Sequence, residues 1–171
     1  TFLLMGAFVS TFVSAQDFSN KGTDFWVGYG FHCRMFQNNS GGAQDMVLYF
    51  ATEAVTNVTV SIPGLGYSKT YSNIAANTIF TTSPLPKNGG QDARLIQEGI
   101  TDKGIHITSD KPVVAYAHIY SNNMSGGTRL FPTPTLGKDY YAINFDQHSN
   151  EGNANCFGYA IAVETGTTTI E

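Results

Sequence analysis

Four histidines, two cysteines and a scatter of carboxylates are the side chains in this 171-residue chain with the chemistry to bind metal or react. The histidines are His32, His106, His118 and His148. None stands in an H-x-x-x-H or H-x-H pair with a carboxylate at metal-ligand spacing. His106 and His118 fall in strand-like runs, so pairing across a hairpin would offer two metal ligands. The missing motif favours strand histidines with a satisfied ring nitrogen. No metal and no other cofactor is expected. A serine nucleophile would sit in a G-x-S-x-G elbow, which is absent. Cys33 follows His32, but adjacent strand residues point to opposite faces and would not form a thiol–imidazole pair. The carboxylates Asp45, Glu53, Asp92, Glu98, Asp102, Asp110, Asp139, Asp146, Glu151 and Glu164 are dispersed. Two could meet in space, as a glycosidase pair must. Most lie beside turns, where a carboxylate caps backbone N–H groups, and this favours structural roles. Asp146 to Asn155 is the best Ca²⁺ candidate because such ions take Asp and Asn oxygens. It lacks EF-hand or RTX spacing and reads as a solvated loop. No catalytic residue is therefore assigned.

The elements that would position these groups are strands. Short apolar/polar alternations separated by Gly, Pro, Asn and Asp clusters are expected to form strands at Asp24–Phe31, Met46–Thr52, Asn57–Ile62, Thr78–Thr82, Gly104–Thr108, Val113–Tyr120, Tyr140–Phe145, Phe157–Glu164 and Thr167–Glu171. Turns are expected at Pro63-Gly64, Lys87 to Gly90, Asp110-Lys111-Pro112 and Ser125-Gly126-Gly127. Asp92–Glu98 is the only stretch with any helical character, and it lacks an apolar stripe. With no β-α-β alternation, the expected fold is all-β: an antiparallel two-sheet β-sandwich with little or no helix. A repeated sheet plan is suggested by Phe50–Val60, which echoes Ile161–Ile170: a strand ends at Glu, a tight turn follows, and a Thr-rich strand begins.

The first stretch, Thr1–Ala15, is apolar and ends in small residues, as a secretory signal does, with cleavage expected after Ala15. It is too short to span a bilayer, which takes about 20 apolar residues. Its missing basic start marks a partial signal, and the strand-like end at Thr167–Glu171 suggests truncation there. Residues 16–171 are then one domain. The chain is 13% charged with net charge -4, which excludes the basic face of a nucleic-acid binder. In an oxidising compartment Cys33 and Cys156 could form a disulfide, contributing roughly 4–5 kcal/mol in the chain-entropy model. The alternative is two buried thiols. Tyr49, Tyr67, Tyr71, Tyr116, Tyr120, Tyr140, Tyr141 and Tyr159 offer flat, hydroxyl-bearing rings of the kind that dominate binding hot spots, with sheet packing as the simpler role for most. Asn38, Asn57 and Asn123 each open an N-x-[ST] pattern.

Four segments carry a resemblance: Gly22–Gly28 (GTDFWVG), Met46–Glu53 (MVLYFATE), Gly104–Tyr116 (GIHITSDKPVVAY) and Phe131–Tyr141 (FPTPTLGKDYY). In order, they resemble the IgGFc-binding protein N-terminal domain family over essentially the whole chain after the signal. The resemblance implies the N-terminal part of a large secreted or surface protein of Bacteroidota, followed by further domains of the same polypeptide. It transfers no binding residues. The function expected is a non-catalytic extracellular adhesion module that takes a protein or glycan ligand at the cell surface, with no nucleic-acid partner and no membrane-spanning role. A structural spacer and a carbohydrate-active enzyme are the alternatives.

Overall fold

The structure, a computed structural model, describes residues 19–36, 44–122, 124–148 and 154–170. The signal-like segment Thr1–Ala15 lies outside them. Among the described residues seven strands form, and all their pairings are antiparallel: β1 (Gly22–Val27), β2 (Asp45–Thr52), β3 (Thr56–Ile62), β4 (Tyr67–Ile74), β5 (Thr78–Thr81), β6 (Ile105–Ser121) and β7 (Met124–Arg129). Among the described residues, helical structure is confined to short 3-10 turns. The all-β, antiparallel expectation is met.

The 17-residue β6 organises the sheet. Ile107 pairs with Phe25 on one edge and Val60 on the other. Val113 pairs with Gly22 and Thr52. Tyr116 pairs with Tyr49 and Arg129. A strand has two edges, so β2 and β3 follow one another along one edge of β6 while β1 and β7 share the opposite edge. Two four-stranded wings result, β4-β3-β6-β1 and β5-β2-β6-β7, within one continuous sheet curled into a half-barrel. Where the sequence led to two sheets, the strands form two wings of one sheet, joined through β6. Such switching between layers occurs where a strand bends or bulges.

That bend is at Ser109–Pro112. Between the pairs Asp24–Thr108 and Gly22–Val113, β6 carries three more residues than β1. Pro112 has no N–H to give a ladder. Asp110 turns its carboxylate to the β2–β3 connection instead: Oδ1 accepts from Thr56 Oγ1 at 2.5 Å and Asn57 N at 2.8 Å, and Oδ2 accepts from Asn57 Nδ2 at 2.9 Å. The Thr56 hydroxyl first, then the Asn57 amide, holds the Asp110 carboxyl below its ordinary range. Asp110-Lys111-Pro112, expected as a turn between two strands, is thus an irregularity inside one long strand.

Alternation survives the bend. Ile105, Ile107, Val113, Ala115 and Ala117 all face inward and are buried. They join Phe25 and Val27 of β1, Met46, Leu48 and Phe50 of β2, and Val58, Val60 and Ile62 of β3 in a single apolar cluster. At about 25 cal/mol per Å² of apolar surface removed from water, this cluster is the main stabilising term. Tyr29 is wholly buried too, its hydroxyl donating to the Gln44 carbonyl at 2.8 Å. Burial, and next the Asp45 charge, pushes its phenol far above the usual range.

Several sequence expectations are corrected. β2 and β3 do not pair with each other, so the strand–turn–strand at Glu53 is no hairpin. Tyr140–Phe145, Phe157–Glu164 and residues 167–170 lie outside any sheet and largely exposed, because strand-type residues form a strand only where a partner supplies the ladder. The echo between Phe50–Val60 and Ile161–Ile170 is therefore not an echo of paired strands. Ser125-Gly126-Gly127, expected as a turn, lies in β7, and the reversal falls before it. β4 was not foreseen: Ser68, Lys69, Thr70, Ser72 and Asn73 are exposed, and Ile74 alone of its residues is fully buried.

Candidate functional site

Two clusters of chemistry-bearing side chains occupy the outer face of the sheet, one on each wing. On the first wing, ladder register sets Trp26 of β1 beside His106 of β6, and His106 beside Ser61 of β3. The Trp26 and His106 rings stack at 4.2 Å with 9° between planes. His106 Nε2 lies 2.7 Å from Asp24 Oδ2. The Thr133 hydroxyl donates to the other oxygen of Asp24. Asp24, His106 and Ser61 make a carboxylate–imidazole–hydroxyl row, but Ser61 Oγ donates to the His106 backbone carbonyl at 3.5 Å. A nucleophilic hydroxyl must instead bond the imidazole that activates it. The row is a clip that ties the Thr133–Thr135 turn to β1.

The second wing presents an aromatic platform. Alternation along β2 and β6 sends Tyr49, Ala51, Tyr116, His118 and Tyr120 outward, opposite in facing to buried Leu48, Phe50, Ala115 and Ala117. His118 is fixed from both sides: Nε2 is 2.7 Å from Ser125 Oγ, and Nδ1 is 3.4 Å from the Tyr49 hydroxyl. The Tyr120 ring stacks on His118 at 5.2 Å. Tyr116 is 40% exposed and Ile79 of β5 is 74% exposed. Tyr49, Ala51, Ile79, Tyr116, His118 and Gly127 surround an open depression of about 390 Å³. At one end, Arg129 pairs with Tyr116 across the ladder and its guanidinium lies 5.6 Å above the Phe131 ring.

A third feature is a strap. Phe157, Tyr159 and Ile161, alternate residues of the unpaired C-terminal stretch, come down against Gly30, Gly28 and Gly104, the segments just after β1 and just before β6. Tyr159 OH donates to the Gly28 carbonyl at 3.3 Å and lies 3.4 Å from the Gly28 amide nitrogen. The Phe157 ring meets Phe31 edge-on at 5.9 Å. A Cβ at Gly28 would come within 2.8 Å of the Tyr159 ring, so only glycine admits this approach.

The remaining sequence candidates are separate from one another. His106 and His118 share β6 but occupy different wings with different partners, so they make no joint metal site. No group of three or more metal-ligating side chains occurs among the described residues. Cys33 lies in the Cys33–Phe36 3-10 turn and not in a strand, so, against the sequence expectation, its half-buried sulfur does reach the neighbouring imidazole, 3.8 Å from His32 Nδ1. Cys156 is exposed and donates to the Phe145 carbonyl at 2.9 Å. The two are not bridged in the structure. Several carboxylates are engaged structurally: Asp45 with Lys87 at 2.6 Å, Glu53 with Lys21 at 2.5 Å, and Asp92 with both Arg94 Nε and Nη2. The Arg94 hydrogen bonds hold Asp92 below the ordinary carboxylate range. Asp146–Asn155 lies partly outside the described residues, as do Asn38 and Asn123. Asn57 is spent on Asp110 and Asn73. Asp24, Arg129 and the glycine at 127 were missed from sequence. Strand parity assigns Arg129 to the face of Tyr116 only once β7 is recognised as a strand.

Among the described residues no helix is long and apolar enough to cross a membrane. Comparison with protein-family models, with curated proteins and with solved structures finds no match for the chain.

Proposed function

We propose that this chain is a non-catalytic module of an exported polypeptide that binds a protein or glycan outside the cell, using the outer face of its second wing. The observation that carries the proposal is the rigid platform of Tyr49, Tyr116 and His118 around an open depression of about 390 Å³. Tyrosine on a strand offers a large contact surface at small entropic cost, because packing from the sheet already fixes its orientation. Export rests on the apolar, small-ended segment Thr1–Ala15. The four segments resembling the IgGFc-binding N-terminal domain family point the same way, toward surface display. The Asp–His–Ser row supports a non-catalytic role, since its hydroxyl bonds a backbone carbonyl.

The test is capture of the labelled full chain on an array of glycans, immunoglobulins and mucin-type glycoproteins. Specific capture that Tyr116→Ala reduces at least about tenfold, as for a hot-spot aromatic, is the expected result. A chain that retains nothing on the whole array, or whose capture is indifferent to Tyr116→Ala, overturns it.

A further inference from the structure

The chemistry around the depression is specific enough to name a ligand class, an inference that rests on the binding function proposed above. The glycine at 127 adds no side chain to its side of the hollow. A Cβ there meets no atom within 4 Å, and the backbone is not in the left-handed region, so a side chain placed at 127 would enter open space without strain. Its walls are the exposed faces of Tyr116 and Ile79. Its lining is almost wholly apolar, and beside it the Tyr49 hydroxyl, the His118 ring and the Ser125 hydroxyl are linked to one another. An apolar hollow with hydrogen-bonding groups beside it complements a pyranose ring, which presents C–H groups on its face and hydroxyls at its edge.

Charge narrows the class. In β2, β5, β7 and residues 113–121 of β6, the charged side chains are Asp45 and Arg129. Asp45 is paired with Lys87 at 2.6 Å. Arg129 stands directly across the ladder from Tyr116, on the same face, and is exposed. The platform thus ends in a cation, although the chain as a whole carries net charge -4. Guanidinium pairs carboxylate in a two-pronged, charge-assisted fashion. A protein interface of ordinary size buries about 1,200–2,000 Å² in total, far more than this hollow offers, whereas one or two sugar rings fill it.

We propose that the depression seats an acidic saccharide. The sugar ring packs on Tyr116 over Gly127, its hydroxyls meet Tyr49, His118 and Ser125, and its carboxylate pairs with Arg129. The experiment titrates the full chain with oligogalacturonate and sialyllactose as acidic probes, and maltotriose and lactose as neutral ones. The acidic probes are expected to bind at least about tenfold more tightly than the neutral ones, with the preference eroding as salt rises. Arg129→Gln removes the preference, and Gly127→Phe, which fills the hollow from an open surface, abolishes binding of all four probes with the melting temperature retained. Equal affinity for acidic and neutral probes, or binding that survives Gly127→Phe, overturns the assignment. If the array described above nonetheless captures the chain through Tyr116, only the ligand class is wrong; if the array captures nothing, the binding function fails with it.

Discussion

Truncating Ile107 to alanine tests whether the two wings stand or fall together. Ile107 is fully buried at the centre of the first wing, between Phe25 and Val60 on its neighbouring strands. The substitution removes three carbons, worth about 2.4 kcal/mol at roughly 0.8 kcal/mol per buried methylene. The ladder holds Phe25 and Val60 in place on either side, so the hole cannot close, and a cavity term raises the cost to about 3–4 kcal/mol. With a slope of about 2 kcal/mol/M, the urea midpoint falls by roughly 1.5–2 M. Two probes read separate wings. Fluorescence of Trp26, the only tryptophan, reports the first. Hydrogen exchange at the Leu48 and Phe50 amides of β2 reports the second. Because β6 feeds one core from both halves, Ile107→Ala should lower protection in β2 by the same free energy that it costs the Trp26 transition. An Ile107→Ala protein in which Trp26 unfolds early while β2 keeps its protection would refute the single-core argument.

Three further outcomes follow from the geometry. Gly64→Ala should cost about 1–3 kcal/mol, because its Cβ would come within 2.3 Å of the Asp102 carbonyl oxygen. Gly66→Ala meets open space but sits at φ 61, so it should cost about 1–2 kcal/mol through backbone conformation alone; thermal melts of both variants check this. Tyr159→Ala, or Gly28→Ala, should speed proteolytic cleavage between residues 137 and 170 severalfold while leaving the melting temperature of the sheet unchanged, and limited chymotrypsin digestion, which can cut at Tyr140, Tyr141, Phe145 and Phe157, reads it. Acid should unfold the protein partly through Asp92 and Asp110. Both are held below their ordinary value of 3.8 in the fold, so their stabilisation is complete above about pH 4 and disappears as pH falls through their folded values. Asp92→Asn and Asp110→Asn should each flatten the acid limb of a stability–pH curve, and an unchanged limb would show that neither carboxylate contributes.

The core was legible in the sequence because alternation reports burial directly. Phe25, Met46, Leu48, Phe50, Val58, Val60 and Ile107 all sit in runs of period two, and all proved buried. Continuity between runs was not legible. Asp110-Lys111-Pro112 has turn chemistry, but here it bends one strand, because Asp110 is anchored to Thr56 and Asn57 more than fifty positions earlier. Edge strands were missed for the opposite reason: β4 and β7 bury so little that their sequences resemble loops. The runs at Tyr140 and Phe157 have strand composition without a pairing partner, and composition cannot report a partner. The platform tyrosines were visible as candidates, but which of them share a face depends on register. Tyr49 and Tyr116 meet because β2 pairs with the second half of β6, whereas Tyr71 belongs to the other wing.

The most direct test maps where a ligand touches. Amide chemical-shift changes recorded on the full chain, as the strongest array ligand is added, should cluster at Ala51, Ile79, Tyr116, His118 and Gly127, on the outer face of the second wing. Changes centred on Trp26 and His106, or on the strap around Tyr159, would contradict the account.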